Sequence, residues 1–120
     1  MSDMVIVEGV VVHGAKLGRQ MGFPTANIEI GDALVDNGVY LSSVSLDGKE
    51  YKAMSNVGVR PSVDGKSRLL ETHIFDYNGD LYGRCLTVCL IRKIRDEKRF
   101  DSVDELKHQL ESDFEYIRSL

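Results

Sequence analysis

Apolar residues recur with two different periods along this 120-residue chain. Up to about residue 94 the pattern is that of strands. Val5 to Val12 is rich in β-branched residues, interrupted by Gly9, and predicts a strand. Asn27-Ile28-Glu29-Ile30 follows a bend at Pro24. Val39 to Leu46 and Lys49 to Val57 flank Asp47-Gly48, a pair that favours a tight hairpin turn. Arg68 to Asp76 and Arg84 to Ile94 flank Asn78-Gly79, which predicts a second hairpin. In the last of these runs Leu86, Val88 and Leu90 alternate with Thr87 and Cys89. Gly31 to Gly38 and Gly58 to Lys66 read as connecting loops.

The period then changes. Ser102 with Glu105 forms a capping box, and Val103, Leu106, Leu110, Phe114 and Ile117 recur at helical spacing behind it. The predicted helix runs from Val103 to about Arg118, and its apolar stripe needs a surface to cover. Six or so strands joined by hairpins supply one. The expected fold is therefore mainly β, a small antiparallel barrel with one C-terminal amphipathic helix docked on it. With no repeat, linker or low-complexity segment, residues 1–120 read as a single domain.

Chemistry concentrates in a few places on this scaffold. Gly14 to Gly22 holds three glycines and no periodicity. It lacks the Gly-Lys-[Ser/Thr] of a Walker loop and the spacing of a dinucleotide fingerprint. It is either a plain turn or a loop whose backbone N–H groups line a phosphate, with Lys16 and Arg19 adding charge. Pro24 fixes its own φ and keeps Phe23 out of the helical region. Thr25 and Asn27, two apart in an extended segment, point to one side. They are turn residues, or two neutral oxygen ligands for a small hard cation that a phosphate substrate carries.

In Leu69-Leu70-Glu71-Thr72-His73-Ile74-Phe75, alternation puts Leu69, Glu71, His73 and Phe75 on one face and Leu70, Thr72 and Ile74 on the other. Both faces are mainly apolar, so the strand is expected to be central. An acid there is either ion-paired with a nearby Arg or Lys or acts as a general base on a substrate hydroxyl. His73 reads as a structural histidine. Arg92 to Arg99 reads as a solvated charged segment, and Phe100 after it offers an aromatic face for a flat polar ring.

Composition narrows the function classes. The net charge is −4 and no basic run stands out, which disfavours nucleic acid and anionic membrane as partners. No apolar run approaches membrane-span length. Met1-Ser2-Asp3-Met4 lacks the layout of a signal peptide, so a cytoplasmic protein is expected. Cys85 and Cys89 would lie about 13 Å apart on a strand at ~3.3 Å per residue. A disulfide needs less than about 7 Å between Cα atoms. Buried, inert thiols are the expected state. The sequence leaves protein partners open, with a monomer as one state it allows.

The motifs together resemble the riboflavin kinase (flavokinase) family, including the C-terminal kinase module of bacterial bifunctional FAD synthetases. The resemblance runs through Gly9-Val10-Val11-Val12-His13-Gly14, Gly18-Arg19-Gln20-Met21-Gly22-Phe23-Pro24-Thr25-Ala26-Asn27 and Gly38-Val39-Tyr40. It continues through Asn56-Val57-Gly58-Val59-Arg60-Pro61, Glu71-Thr72-His73-Ile74-Phe75 with Leu81-Tyr82-Gly83, and Ile94 to Ser102. Met21 stands where leucine is common and Ser62 where threonine is common.

The resemblance implies a six-stranded antiparallel barrel, closed or split, with a C-terminal helix. It implies transfer of the ATP γ-phosphate to the ribityl 5′-hydroxyl of riboflavin, giving FMN and ADP, with Mg²⁺ or another divalent cation. By position, Thr25 and Asn27 would bind the metal. Gly14, Lys16, Gly18, Arg19, Gly22 and Pro24 would join them around the nucleotide. Glu71 would take the hydroxyl proton, and Arg95, Glu97, Lys98 and Phe100 would flank the flavin. Two other readings share these residues: a flavin or nucleotide sensor without turnover, and the kinase half of a longer FAD synthetase.

Overall fold

A computed structural model of the chain describes residues 4–13, 21–62 and 65–120. Its strands are β1 (Val5–Val12), β2 (Ala26–Glu29), β3 (Gly38–Leu46), β4 (Lys49–Ser62), β5 (Gly65–Ile74) and β6 (Cys85–Arg95). One helix follows among the described residues, α1 (Val103–Arg118). The six strands close into a barrel in the order β1-β2-β5-β4-β3-β6, each antiparallel to its neighbours. Closure gives every described strand a neighbour on each side over part of its length.

Strand alternation builds two cores. Inward-facing residues, among them Ile28, Val44, Val57, Leu70, Leu86 and Val88, fill the barrel. Three hydroxyls lie among them. Ser55 Oγ is 2.7 Å from Ser42 Oγ and 2.8 Å from Thr72 Oγ1, so these buried groups satisfy one another. The second core lies outside the barrel, where Val39, Met54 and Phe75 meet Phe114 and Ile117 of α1. Strand β5 is covered on both faces, as its apolar pattern predicts.

The first predicted hairpin forms, with Asp47 at φ 52° and Gly48 at φ 77°, the left-handed pair that a type I′ turn needs. The second does not form. β5 lies between β2 and β4, while β6 lies between β1 and β3, so the two are not neighbours. Residues 75–84 instead cross the end of the barrel, with Leu81 buried in the core. The left-handed backbone there falls at Asp76 and Gly83, not at Asn78 or Gly79.

The predicted loop from Gly58 to Lys66 is also revised, because β4 continues to Ser62 and β5 begins at Gly65. β3 pairs with β4 only as far as Gly38↔Val57, and beyond that point β4 pairs with β5 alone. A strand with one side unpaired tolerates Pro61. The cysteines are a third correction. Both are free, but Cys85 is exposed and Cys89 only partly buried. Leu86, Val88 and Leu90 take the inward positions of β6, so alternation turns both thiols outward.

Helix α1 begins as predicted. Ser102 Oγ accepts from the Glu105 N–H at 3.1 Å, and Glu105 Oε2 accepts from the Asp101 N–H at 3.1 Å. The return bond thus reaches one residue upstream of the cap. Val103 is 57% exposed and lies outside the apolar stripe. Asp113, buried on the inner face, holds the helix to β6. The Arg95 guanidinium donates to both its oxygens at 2.8–3.1 Å, and Gln109 Nε2 donates to Oδ1 at 2.9 Å.

Removing one partner of such a pair leaves the other charge uncompensated in a partly shielded site. Asp113→Ala is therefore expected to destabilise the protein by about 3 kcal/mol. Urea unfolding should show a lower midpoint with an unchanged slope, whereas an unchanged midpoint would mean the pair contributes nothing.

Candidate active site

The site lies where the bend before β2, the outer face of β4 and β5, and the first half of α1 converge. Residues paired across neighbouring strands share a face. Asn27 pairs with Glu71, Glu71 with Asn56, Asn56 with Val39, and Val39 with Arg95. These five form one outward row across β2, β5, β4, β3 and β6. The row places Glu71 beside Asn27, although they are 44 positions apart in sequence. Thr25 Oγ1 lies 3.3 Å from Asn27 Oδ1 and donates to it.

His73 and the aromatics fix the bend. His73 Nδ1 lies 2.9 Å from the Pro24 carbonyl, which can only accept, so the ring carries its proton on Nδ1. Phe23 meets His73 edge-on at 5.4 Å and Phe114 at 5.7 Å, and Phe75 lies 4.6 Å from Phe114. Burial holds the His73 imidazolium below its ordinary value, and the bond to Pro24 opposes this only in part. These contacts give His73 the structural role expected of it.

Three cavities run along the row among the described residues. The first, about 480 Å³, is lined by Pro24, Thr25, Asn27, Thr72, Asp80 and the stacked rings of His13 and Tyr82, whose centroids are 3.7 Å apart. The second, about 140 Å³, is lined by Met21, Phe23, Thr25, Asn56, Arg60, Glu71 and His73, with Leu106 and Leu110 of α1 closing it. The third, about 730 Å³, holds Arg60, Lys66, Arg95, Glu97, Lys98, Arg99 and Phe100 against the same two leucines. Thr25 belongs to the first two; Asn56, Arg60, Leu106 and Leu110 belong to the last two. Leu106 and Leu110 are only partly buried because they face this space.

The sequence-predicted residues that fall among the described ones take definite places on this geometry. Pro24, Thr25 and Asn27 line the first cavity, and Gly22 sits at the bend with φ 89°, a backbone that suits glycine. Gly14, Lys16, Gly18 and Arg19 lie outside the described residues. Glu71 lines the middle cavity. Arg95, Glu97, Lys98 and Phe100 all line the third, with the Arg95 and Lys98 cations 6.0 and 5.8 Å from the Phe100 ring centre.

Arg60 carried no role in the sequence reading, yet it sits at the junction. Its Nε and Nη2 approach Glu71 Oε1 at 3.0 and 2.9 Å, and Nη2 reaches Glu97 Oε1 at 3.1 Å. Burial alone would depress the guanidinium, but the Glu71 and Glu97 carboxylates hold it above its ordinary value. Gly58 makes room for this meeting, since a Cβ there would overlap the Glu97 carboxylate. Asn56 was missed as well. Its Oδ1 is buried without a hydrogen-bond partner among the described residues, in the wall between the second and third cavities. The Asn-Val-Gly-Val-Arg-Pro stretch was the one available signal for both.

A family model described as Flavokinase, riboflavin kinase, matches residues 1–120. A bifunctional riboflavin kinase/FMN adenylyltransferase from Pseudomonas fluorescens is 46% identical over 117 residues, covering 95% of this chain and 37% of that protein. Its namesake from Escherichia coli strain K12 is 46% identical over 109 residues, covering 89% and 35%. The chain thus spans little more than a third of the length of these curated relatives. A solved structure described as a macrolide-efflux protein from Streptococcus pneumoniae matches with TM-score 0.84 and 40% identity, covering 96% of this chain and 38% of that one. Riboflavin kinase from Trypanosoma brucei matches with TM-score 0.63 and 22% identity, covering 97% and 78%, a likeness that shows the fold alone.

The His73 environment yields a pH dependence. Its folded value is lowered, so on acidification the unfolded chain binds the proton first. The stability that His73 contributes is whole above about pH 6.5, the unfolded value, and is lost as pH falls through the lower folded value. The slope this adds is at most about 1.4 kcal/mol per pH unit. Urea unfolding at a series of pH values should show the decline below pH ~6.5, flattened in His73→Gln. Equal slopes in the two proteins would exclude His73 as its source.

Proposed function

The chain belongs to the riboflavin kinase family, and from that premise we propose how it moves the γ-phosphoryl group of ATP to the ribityl 5′-hydroxyl of riboflavin, giving FMN and ADP. In this reading residues 1–120 act as one kinase domain, and only this step is assigned to them. The observation that carries the reading is the Asn27↔Glu71 pairing, which sets a carboxylate beside two neutral oxygens along a string of cavities. The nucleotide takes the first cavity, with Pro24, Thr25 and Asn27 in its wall. Gly14, Lys16, Gly18, Arg19 and Gly22 belong to the same proposed set. The flavin ring takes the third cavity beside Arg95, Glu97, Lys98 and Phe100. Its ribityl chain reaches through the middle cavity to Glu71.

The residues present fit a magnesium ion. Oxygens on adjacent corners of an octahedron with bonds of 2.0–2.1 Å lie ~3 Å apart. Thr25 Oγ1 and Asn27 Oδ1 are 3.3 Å apart. No cluster of three or more His, Cys, Asp or Glu among the described residues could hold a metal alone. The remaining ligands would be nucleotide phosphates and water, as is usual for this ion. Bound there, Mg²⁺ supplies charge neutralisation at the phosphates.

Glu71 orients the 5′-hydroxyl and accepts its proton as the hydroxyl oxygen bonds to the γ-phosphorus and the bond to the β-phosphate bridging oxygen breaks. Phosphoryl transfer has a loose transition state, so positioning carries most of the catalysis and late proton acceptance suffices. The apolar wall of Met21, Phe23, Leu106 and Leu110 limits water around the hydroxyl. No described helix is long and apolar enough to cross a membrane. A cytoplasmic setting and action without nucleic acid belong to the same proposal.

Glu71→Gln is expected to fold normally and to lose about 10²–10⁴-fold in turnover. Near-normal FMN production by that variant would rule out the general base. Thr25→Ala and Asn27→Ala should each raise the Mg²⁺ concentration needed for half-maximal rate and weaken nucleotide binding. Unchanged magnesium dependence in both would remove them as ligands. Incubating the chain with riboflavin, Mg²⁺ and ATP, CTP or GTP tests the reading as a whole. Flavin binding with no FMN from any nucleotide would leave a sensor instead of a kinase.

A further inference from the structure

We propose that Arg60 is the positioning residue for Glu71, clamping one carboxylate oxygen so that the other faces the substrate hydroxyl. The inference rests on the kinase reading above and adds to it a residue and an atom. Arg60 Nε donates to Glu71 Oε1 at 3.0 Å, and Nη2 lies 2.9 Å from the same oxygen as an ion pair. Glu71 Oε2 has no hydrogen-bond partner among the described residues, and Glu71 lines the middle cavity. A carboxylate held on one oxygen by an N–H donor and by the charge of the same guanidinium is restrained in rotation, which sets the direction of its second oxygen. That second oxygen is the one available to the incoming hydroxyl.

The other end of Arg60 explains why the clamp is an arginine. Nη2 also bonds to Glu97 Oε1 at 3.1 Å, and Nη1 donates to the Val59 carbonyl at 3.0 Å. The planar fork therefore spans three acceptors at once, which the point charge of a lysine cannot reproduce. Glu97 belongs to the segment that lines the third cavity. Through Arg60, the wall of the ring-sized cavity and the orientation of the proposed base are parts of one rigid network. Side-chain exposures of 29% for Arg60 and 21% for Glu71 keep the pair partly shielded from water.

A double-mutant cycle with FMN formation as readout separates this role from a purely structural one. Arg60→Met keeps the aliphatic stem and removes the fork. In the otherwise native chain it should lower kcat on the order of 10²-fold, the usual effect of a misplaced catalytic group. The KM for ATP should stay nearly unchanged. In the Glu71→Gln background the same substitution should change kcat by less than about threefold, because the group it positions is already absent. Arg60→Lys should recover part of the loss in the native background, and it carries the same cycle if Arg60→Met does not fold. Equal fold-losses in both backgrounds, or no loss in the native one, would overturn the inference while leaving the kinase intact. A wild-type chain that makes no FMN would overturn the kinase reading, and this one with it.

Discussion

The closure of the barrel depends on the shortest strand. β2 has four residues, and its pairs with β5, from Ala26↔Thr72 to Glu29↔Leu69, are the link between the β1–β6 side and the β5–β4–β3 side. Without them β1 and β5 would each present an open edge. The same pairs assemble the proposed site, because Asn27 stands opposite Glu71 only in this register. A one-residue slip would turn Asn27 inward and Ile28 outward, so the buried Ile28 side chain fixes the register. Gly9 serves the same contact from the other side. A Cβ there would collide with the Ile28 side chain, so β1 can close on β2 only because residue 9 lacks one.

A strand this short needs help at its entrance. That help is the His73 bond to the Pro24 carbonyl and the packing of Phe23 against His73 and Phe114. Helix α1 enters the site in two halves. Its C-terminal half, through Phe114 and Ile117, packs on the barrel wall, and the Arg95–Asp113 pair pins it there. Toward its N-terminus Leu106 lines the cavities, and Leu110 both packs against the outer core and lines them. One amphipathic stripe thus serves as core at one end and as cavity wall at the other.

Local periodicity made much of this legible. The strand alternation, the Asp47-Gly48 turn, the Ser102 cap and the span of α1 each depend on residues close in sequence, and the pattern reports them directly. What it misreported depends on partners. Asn78-Gly79 looks like a hairpin turn, but both sides of β5 and of β6 are taken by other strands. Pro61 and Gly58 look like loop residues, but pairing with β5 carries them as strand. Cys85 was expected inside because free cysteine often is, yet alternation in β6 turned it out. Arg60 was invisible because its meaning comes from Glu97, 37 positions away, and from the room that Gly58 leaves. The same limit explains Glu71. Its strand was identifiable, but its neighbours Asn27 and Asn56 come from the register.

The sequence left Glu71 with two readings, an ion pair or a base, and the geometry shows why they need not compete. An acid kept only for a structural ion pair would be expected to spend both oxygens on its partners and to lie under packed side chains. Glu71 instead gives one oxygen to Arg60 and lines a cavity it shares with Thr25. In the proposed reaction the proton leaves late and the first need is to aim a hydroxyl at phosphorus. A carboxylate with one oxygen held by Arg60 suits that task because its rotation is restrained.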